Sequence, residues 1–337
     1  MRLRFTLLSS MVVLALIGVV ASVPATPVMA MPTALNPNAP SSTVKLIFIH
    51  HSTGGNWLGD GNGNLGITLS DNNYFVSDTN YGWGPNPDGY PIGDRTDIPD
   101  WYSWFTGPYH NTYMAALFAE TGQNAGYSRV LTDPGGENTV VIFKSCFPNS
   151  NLDGNPNDPP AASANNNSGL TVANAKRIYL DALNYFASRQ DKLFVIITAP
   201  PLRQNDTNFT RATNARAFDE WLVNDYLKGY AYKNVAVFDF YNVLTTNGGD
   251  ANTNDLNSAD GNHHRYRNGV VEHISNRGTD YLAYPTGDSH PSAAGGQKAS
   301  AEFAPLLNIA LHCWRGEGSC APFMGSTYQA LLPLILR

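Results

Sequence analysis

Four apolar runs punctuate the chain, Val44–Ile49, Thr139–Phe143, Leu193–Thr198 and Val235–Phe240. Each is short, continuous and rich in Val, Ile and Phe. That pattern predicts strands covered on both faces, as in a parallel sheet, rather than the in-out alternation of a half-exposed one. A weaker run, Tyr74–Ser77, predicts a fifth strand. Apolar residues at helical spacing fall between the runs. Thr171–Arg189 places Ala173, Ala175, Ile178, Leu180, Ala182, Leu183 and Phe186 at helical spacing, and Ala212–Leu227 does the same with Ala215, Phe218, Trp221, Leu222 and Tyr226. A last helix is predicted over Ser292–Leu311, with Ser292 in the N-cap position. Strands alternating with helices predict an α/β fold, a three-layer doubly wound parallel sheet with long loops at the carboxyl ends of its strands.

Three long polar stretches interrupt this pattern: Trp83–Trp104, Asn149–Ser168 and Asn247–Asn276. Long loops in a compact domain are commonly functional. The first is preceded and followed by further aromatics, so that Tyr81, Trp83, Tyr90, Trp101, Tyr102, Trp104 and Tyr109 cluster in loop-like sequence. Such rings suit either a sugar platform or a folded loop with its own aromatic core.

At the amino end, Arg2 and Arg4 precede an apolar stretch, Phe5 to Val23, and the small-residue sequence Val28-Met29-Ala30. This reads as a signal peptide over residues 1–30 and predicts a secreted protein; a membrane is implied only if the segment stays uncleaved. Residues 31–43 read as a linker, 44–312 as the catalytic domain and 313–337 as an extension. Without Arg2 and Arg4 the balance is 19 basic to 27 acidic residues, with no basic run. Nucleic acid is therefore not expected as a partner, since phosphate binding needs clustered Lys and Arg. Of the three cysteines, Cys313 and Cys320 bracket a short loop and, in an exported protein, predict a disulfide. Cys146 is left as a buried free thiol.

Two segments carry the candidate chemistry. The first strand runs into His50-His51-Ser52-Thr53-Gly54, and the last helix is preceded by Gly287-Asp288-Ser289-His290-Pro291-Ser292. Serine is a poor nucleophile at neutral pH unless a base takes its proton, and a histidine held by a carboxylate is such a base. Ser52, His290 and Asp288 supply these three groups. Acyl transfer also needs donors for a developing oxyanion. Asn149, after the third strand, is the chosen side-chain donor with Asn151 in reserve. Gly82 or Gly84, after the second strand, is the backbone donor.

This arrangement resembles the SGNH hydrolases, the GDSL-type esterase and lipase superfamily, which carry a serine after the first strand, a glycine after the second, an asparagine after the third and an Asp/His pair before the last helix. Thr198-Ala199-Pro200-Pro201 and Val237-Phe238-Asp239-Phe240 resemble the ends of the family's fourth and fifth strands, and His290-Pro291-Ser292 with Gly295 is the most specific match. The resemblance spans roughly residues 44–311 and implies a flavodoxin-like sheet and serine-dependent ester hydrolysis without a cofactor. The chain departs from the family in three places. His50-His51 replaces the usual Gly-Asp before the serine, Asp288 stands two rather than three residues before the histidine (Asp280 is the reserve acid), and Phe147-Pro148-Asn149-Ser150 replaces the Gly-x-Asn-Asp block. A divergent branch is implied.

The leading expectation is a secreted serine esterase removing an O-acyl group, such as acetyl, from a carbohydrate through an acyl-enzyme. Two alternatives stand beside it. One is a carbohydrate-binding or surface protein that keeps the fold without catalysis. The other is a metal-dependent hydrolase in which His50 or His51 joins His263 or His264.

Overall fold

A computed structural model describes residues 34–165 and 169–323. The expected signal segment lies outside the described residues, as do residues 324–337 of the extension. The central sheet has five strands, β1 (Val44–Ile49), β2 (Tyr74–Asp78), β3 (Val140–Lys144), β4 (Leu193–Ile197) and β5 (Val235–Phe238), in the order β2-β1-β3-β4-β5. All four neighbouring pairs are parallel. The sheet lies within one compact unit, and it is an α/β arrangement of flavodoxin-like order.

Every residue of these strands is buried, and successive side chains go to opposite layers. One layer sets Ile47, Ile49, Val141, Phe143, Phe194 and Ile196 against four helices: α3 (Trp101–Phe105), α4 (His110–Ala119), α5 (Val172–Ser188) and α6 (Phe209–Asn224). The other sets Leu46, Phe48, Ile142, Val195 and Phe238 against α1 (Thr53–Leu58), α2 (Leu65–Asp71), α7 (Phe240–Val243) and α8 (Ala293–Arg315). At about 1.5–3 kcal/mol for each large apolar side chain taken from water, these layers are the main favourable term in the fold. Lys45, the lone charge in β1, is buried at no unpaired cost: its ammonium reaches Asp133 Oδ2 at 3.2 Å and the Gly136 carbonyl at 2.9 Å.

The structure adds to three expectations. The expected linker is packed down: the Pro37 and Asn38 carbonyls accept from Asn308 and His312 of α8, and the Pro40 carbonyl accepts from Asn73. The last helix runs past the expected domain boundary to Arg315, and Cys313 within it is bonded to Cys320. The third loop holds an antiparallel hairpin, β6 (His263–Arg267) and β7 (Val270–Ile274). Asn268 and Gly269 turn it with φ of 52° and 87°, the left-handed pair that a two-residue hairpin turn needs.

Candidate active site

The order β2-β1-β3 reverses the direction of winding at β1. In doubly wound sheets a crevice opens at that point, outside the carboxyl ends of the strands. The segment after β1 falls there. His50 ends the strand by turning its ring to the end of β2, where Nε2 lies 3.0 Å from Asp78 Oδ2. Asp78 Oδ1 accepts from the Asn124 N–H and the Tyr127 hydroxyl. Burial lowers the His50 pKa, outweighing the pull of Asp78, so a neutral ring donates to the carboxylate. Gly54 lies against this ring so closely that a Cβ there would fall 2.4 Å from His50 Cβ.

Ser52 follows with φ 41° and ψ −102°, a conformation that costs a non-glycine residue on the order of 1–3 kcal/mol. It stands in the N-cap position of α1 but its side chain caps nothing. The hydroxyl points away from the helix, and Ser52 Oγ lies 2.5 Å from His290 Nε2, a contact between residues 238 apart in the chain. His290 Nδ1 lies 2.9 Å from Asp288 Oδ1, which also accepts the His290 backbone N–H at 2.9 Å. Those bonds, the backbone one first, hold the Asp288 carboxyl below its ordinary pKa, so it is ionised at neutral pH. The ring of Phe147 meets His290 edge-on at 5.0 Å.

The loop carrying His290 is tied down by the exit of β4. The Arg203 N–H donates to Ser289 Oγ at 3.1 Å, the Arg203 guanidinium donates to the Gly287 carbonyl at 2.8 Å, and Ser289 Oγ–H donates to Asp206 at 2.5 Å. Arg203 and Asp206 are themselves paired at 2.9 Å. On the far side, Ser292 N–H donates to the Tyr284 carbonyl, and Gly295 packs on the Tyr284 ring with no room for a Cβ. Sequence reading missed Arg203 and Asp206, which carry no local signature.

The expected oxyanion donors are placed differently from the serine and histidine. Gly82 N–H donates to Asp94 Oδ1 at 2.7 Å and is thereby engaged. Gly84 has φ of 88° and packs against Ile92. Asn149 is buried, its oxygen accepting the Ile98 N–H at 2.6 Å and its amide donating to Asp97 Oδ1 at 2.5 Å. Asn149 therefore pins the loop that precedes α3. Asn151 accepts from Thr207. The reserve acid, Asp280, pairs with Arg216 at 2.9 Å, which leaves Asp288 as the carboxylate on the histidine.

The loop histidines proposed as metal ligands are held by other partners. His263 Nδ1 faces Glu302 at 2.7 Å, and His264 Nδ1 accepts the Asp239 N–H at 2.9 Å. Among the described residues, no three His, Cys, Asp or Glu side chains converge in a way that would hold a metal ion. No helix among them is long and apolar enough to cross a membrane.

His51 behaves differently from His50. Its ring stacks on Tyr81 at 4.7 Å and 17°, and Nδ1 lies 3.1 Å from the Tyr81 hydroxyl. Nearby, the Cys146 Sγ is 3.4 Å from Thr53 Oγ1. Thr53 Oγ1 in turn accepts from buried Lys144 at 2.6 Å. Burial draws the Lys144 amine down to about 8. Burial pushes the Cys146 thiol up, but His51, the Lys144 charge and Thr53 outweigh it and bring it to about 6. A lysine closing an apolar strand was the one sequence signal for this group.

Two shallow depressions flank the Ser52–His290 contact and share Asn56 and Asn62 as a common wall. One, of about 480 Å³, holds Ser52 and Tyr81 with Gly55 and Asn124; the other, of about 470 Å³, holds Asp288, His290 and Thr286. Most of the expected aromatic platform is elsewhere: Trp83, Trp101 and Trp104 are buried, packing the layer beneath the loop, and Tyr81, Tyr90 and Tyr109 remain exposed. No family model matches the chain, and neither a curated protein nor a solved structure shows significant similarity to it.

Proposed function

We propose that the protein is a serine ester hydrolase of the SGNH type, acting outside the cell on an O-acyl group carried by a carbohydrate. The observation that carries this reading is the line Ser52–His290–Asp288, at 2.5 Å and 2.9 Å, built from the two ends of the domain. A strained serine that leaves its own helix uncapped in order to meet a histidine serves no evident structural end. In the proposed reaction, His290 Nε2 takes the Ser52 proton as Oγ attacks the ester carbonyl. The resulting imidazolium, stabilised through Nδ1–H by Asp288, returns the proton to the departing alcohol, and a water repeats the cycle to release the acid.

The carbohydrate half of the proposal rests on the cleft. Its walls are mostly amides, glycines and other polar side chains with the exposed Tyr81 ring, and the apolar residues among them, Ala125, Pro291 and Ala293, are too small to seat a long acyl chain. The test is acetate release from an O-acetylated polysaccharide alongside turnover of p-nitrophenyl acetate. Both should fall by about 10³ or more in Ser52→Ala. Turnover of the p-nitrophenyl ester without acetate release would leave the esterase and remove the carbohydrate; normal activity in Ser52→Ala would remove both.

A further inference from the structure

An ester has an acyl half and an alcohol half, and the reacting pair decides which way each lies. His290 Nε2 takes the proton of Ser52 Oγ and must give it to the departing alcohol oxygen. That oxygen therefore stands on the histidine side of the serine. The alcohol half extends into the depression lined by His290, Asp288 and Thr286, and the acyl half is left to the one lined by Ser52 and Tyr81. Asn56 and Asn62 stand on the wall between them. Their main chains are hydrogen-bonded, while their side-chain amides have no partner among the described residues. We propose that Asn56 and Asn62 bind the hydroxyls of a neutral sugar that forms the alcohol half, which makes the His290 side of the cleft the subsite that selects a carbohydrate ester. The inference rests on the serine-esterase reading above.

A binding group is most effective when its backbone does not have to move to meet the ligand. Asn56 lies in α1, one turn after the nucleophile, and its N–H donates to the Ser52 carbonyl at 3.1 Å. The chain after α1 then folds back on it. Gly63 N–H donates to the Asn56 carbonyl at 3.1 Å, and the Asn62 and Asn64 N–H groups donate to the Gly59 carbonyl at 3.2 Å and 3.0 Å. Gly61 turns this loop with φ of 73°, and its N–H donates to Asn64 Oδ1 at 2.6 Å. The loop is also fixed to the helix that follows His290. A Cβ on Gly296 of α8 would fall 2.8 Å from Gly63 Cα, and Ser300 Oγ donates to the Gly63 carbonyl at 2.6 Å while accepting from Trp57 Nε1 at 2.9 Å. The two amides are thus held in place relative to both the serine and its base. Each amide carries donors and an acceptor, which matches the two-way hydrogen bonding of a hydroxyl. The other polar groups there are engaged: Thr286 Oγ1 donates to the His290 carbonyl at 2.8 Å, and Asp288 holds His290. The Asp288 carboxylate also disfavours an anionic alcohol by like-charge repulsion, which leaves a neutral polyol.

The experiment varies the two halves of the substrate separately. Wild type, Asn56→Ala, Asn62→Ala and Tyr81→Ala are assayed on acetylated xylan, p-nitrophenyl acetate and p-nitrophenyl butyrate, with fluorophosphonate labelling of Ser52 as the control on the underlying reading. The first two esters share an acyl group and differ in alcohol; the last two share an alcohol and differ in acyl group. Ratios of kcat/KM between esters cancel whatever a variant does to the folded fraction. Asn56→Ala and Asn62→Ala should each lower the xylan-to-p-nitrophenyl acetate ratio by about 3- to 10-fold, the usual worth of one neutral hydrogen bond. Neither should move the acetate-to-butyrate ratio. Tyr81→Ala, on the acyl side, should do the reverse. If both asparagine variants keep the xylan ratio within twofold of wild type, or move the butyrate ratio instead, the proposal falls and the esterase stands. If wild type cleaves the p-nitrophenyl esters but releases no acetate from xylan, the sugar falls with the proposal and the esterase again stands. If Ser52 is not labelled, all three fall.

Discussion

Asp288 sits largely in solvent, yet it accepts two hydrogen bonds from the residue it serves, one from the backbone and one on Nδ1 of His290. An exposed carboxylate lends little Coulomb energy, so its value here is in fixing the tautomer and the ring plane. Asp288→Asn should therefore lower kcat by about 10²–10⁴ through the wrong tautomer, with KM and melting temperature close to wild type. Steady-state kinetics beside a thermal melt checks this. Asn149 gives the opposite pattern. Truncation strands the buried Ile98 N–H, and a buried donor left unpaired costs about 1–3 kcal/mol. Asn149→Ala should show as a lower denaturation midpoint. A fall in kcat at unchanged stability would instead return it to the oxyanion role that its place after β3 suggested. The residue types at the site were legible because a serine after an apolar strand and an Asp-x-His-Pro step before a helix are local patterns. What Asn149 and Gly82 actually bond to was not, since Asp97, Ile98 and Asp94 lie 12 to 52 positions away in the chain.

At the level of elements, β1 and α1 meet at an angle that only a glycine permits. Gly54 has no room for a methyl beside His50, whose ring is anchored on Asp78 and cannot retreat. Gly54→Ala should cost about 1–3 kcal/mol by overpacking and should reduce activity further by moving Ser52, an effect that a denaturation curve and kcat measured together would separate. The five strands and three long helices could be read from apolar spacing, because burial on both faces or along one stripe leaves a periodic trace. Short helices leave none: α1 and α2 run through Thr-Gly-Gly-Asn and Leu-Gly-Ile-Thr, sequences of low helical propensity held by packing against α8. The β6–β7 hairpin was hidden for another reason. Its strands, His-His-Arg-Tyr-Arg and Val-Val-Glu-His-Ile, show no apolar face, and only the Asn268-Gly269 pair marked the turn.

Over the whole molecule, the sheet brings a serine from the end of its first strand and a histidine from the start of its last helix to one rim, and the parallel order leaves the crevice there. The same rim buries a cation. Lys144 has its pKa lowered by burial to about 8 from an ordinary value of 10.5. Between those values the unfolded chain binds more protons than the folded one, so this group adds stability as pH rises from 8 towards 10 and loses it as pH falls back through 8. Wild type should therefore gain on Lys144→Met in urea midpoint across that range; parallel curves would place the amine outside the core. The central claim, that Ser52 is a nucleophile activated by His290, is met most directly by fluorophosphonate labelling followed by peptide mapping. A single adduct on Ser52, lost in His290→Ala, is the predicted result. No adduct, or one on another residue with Ser52 unmodified, would contradict it.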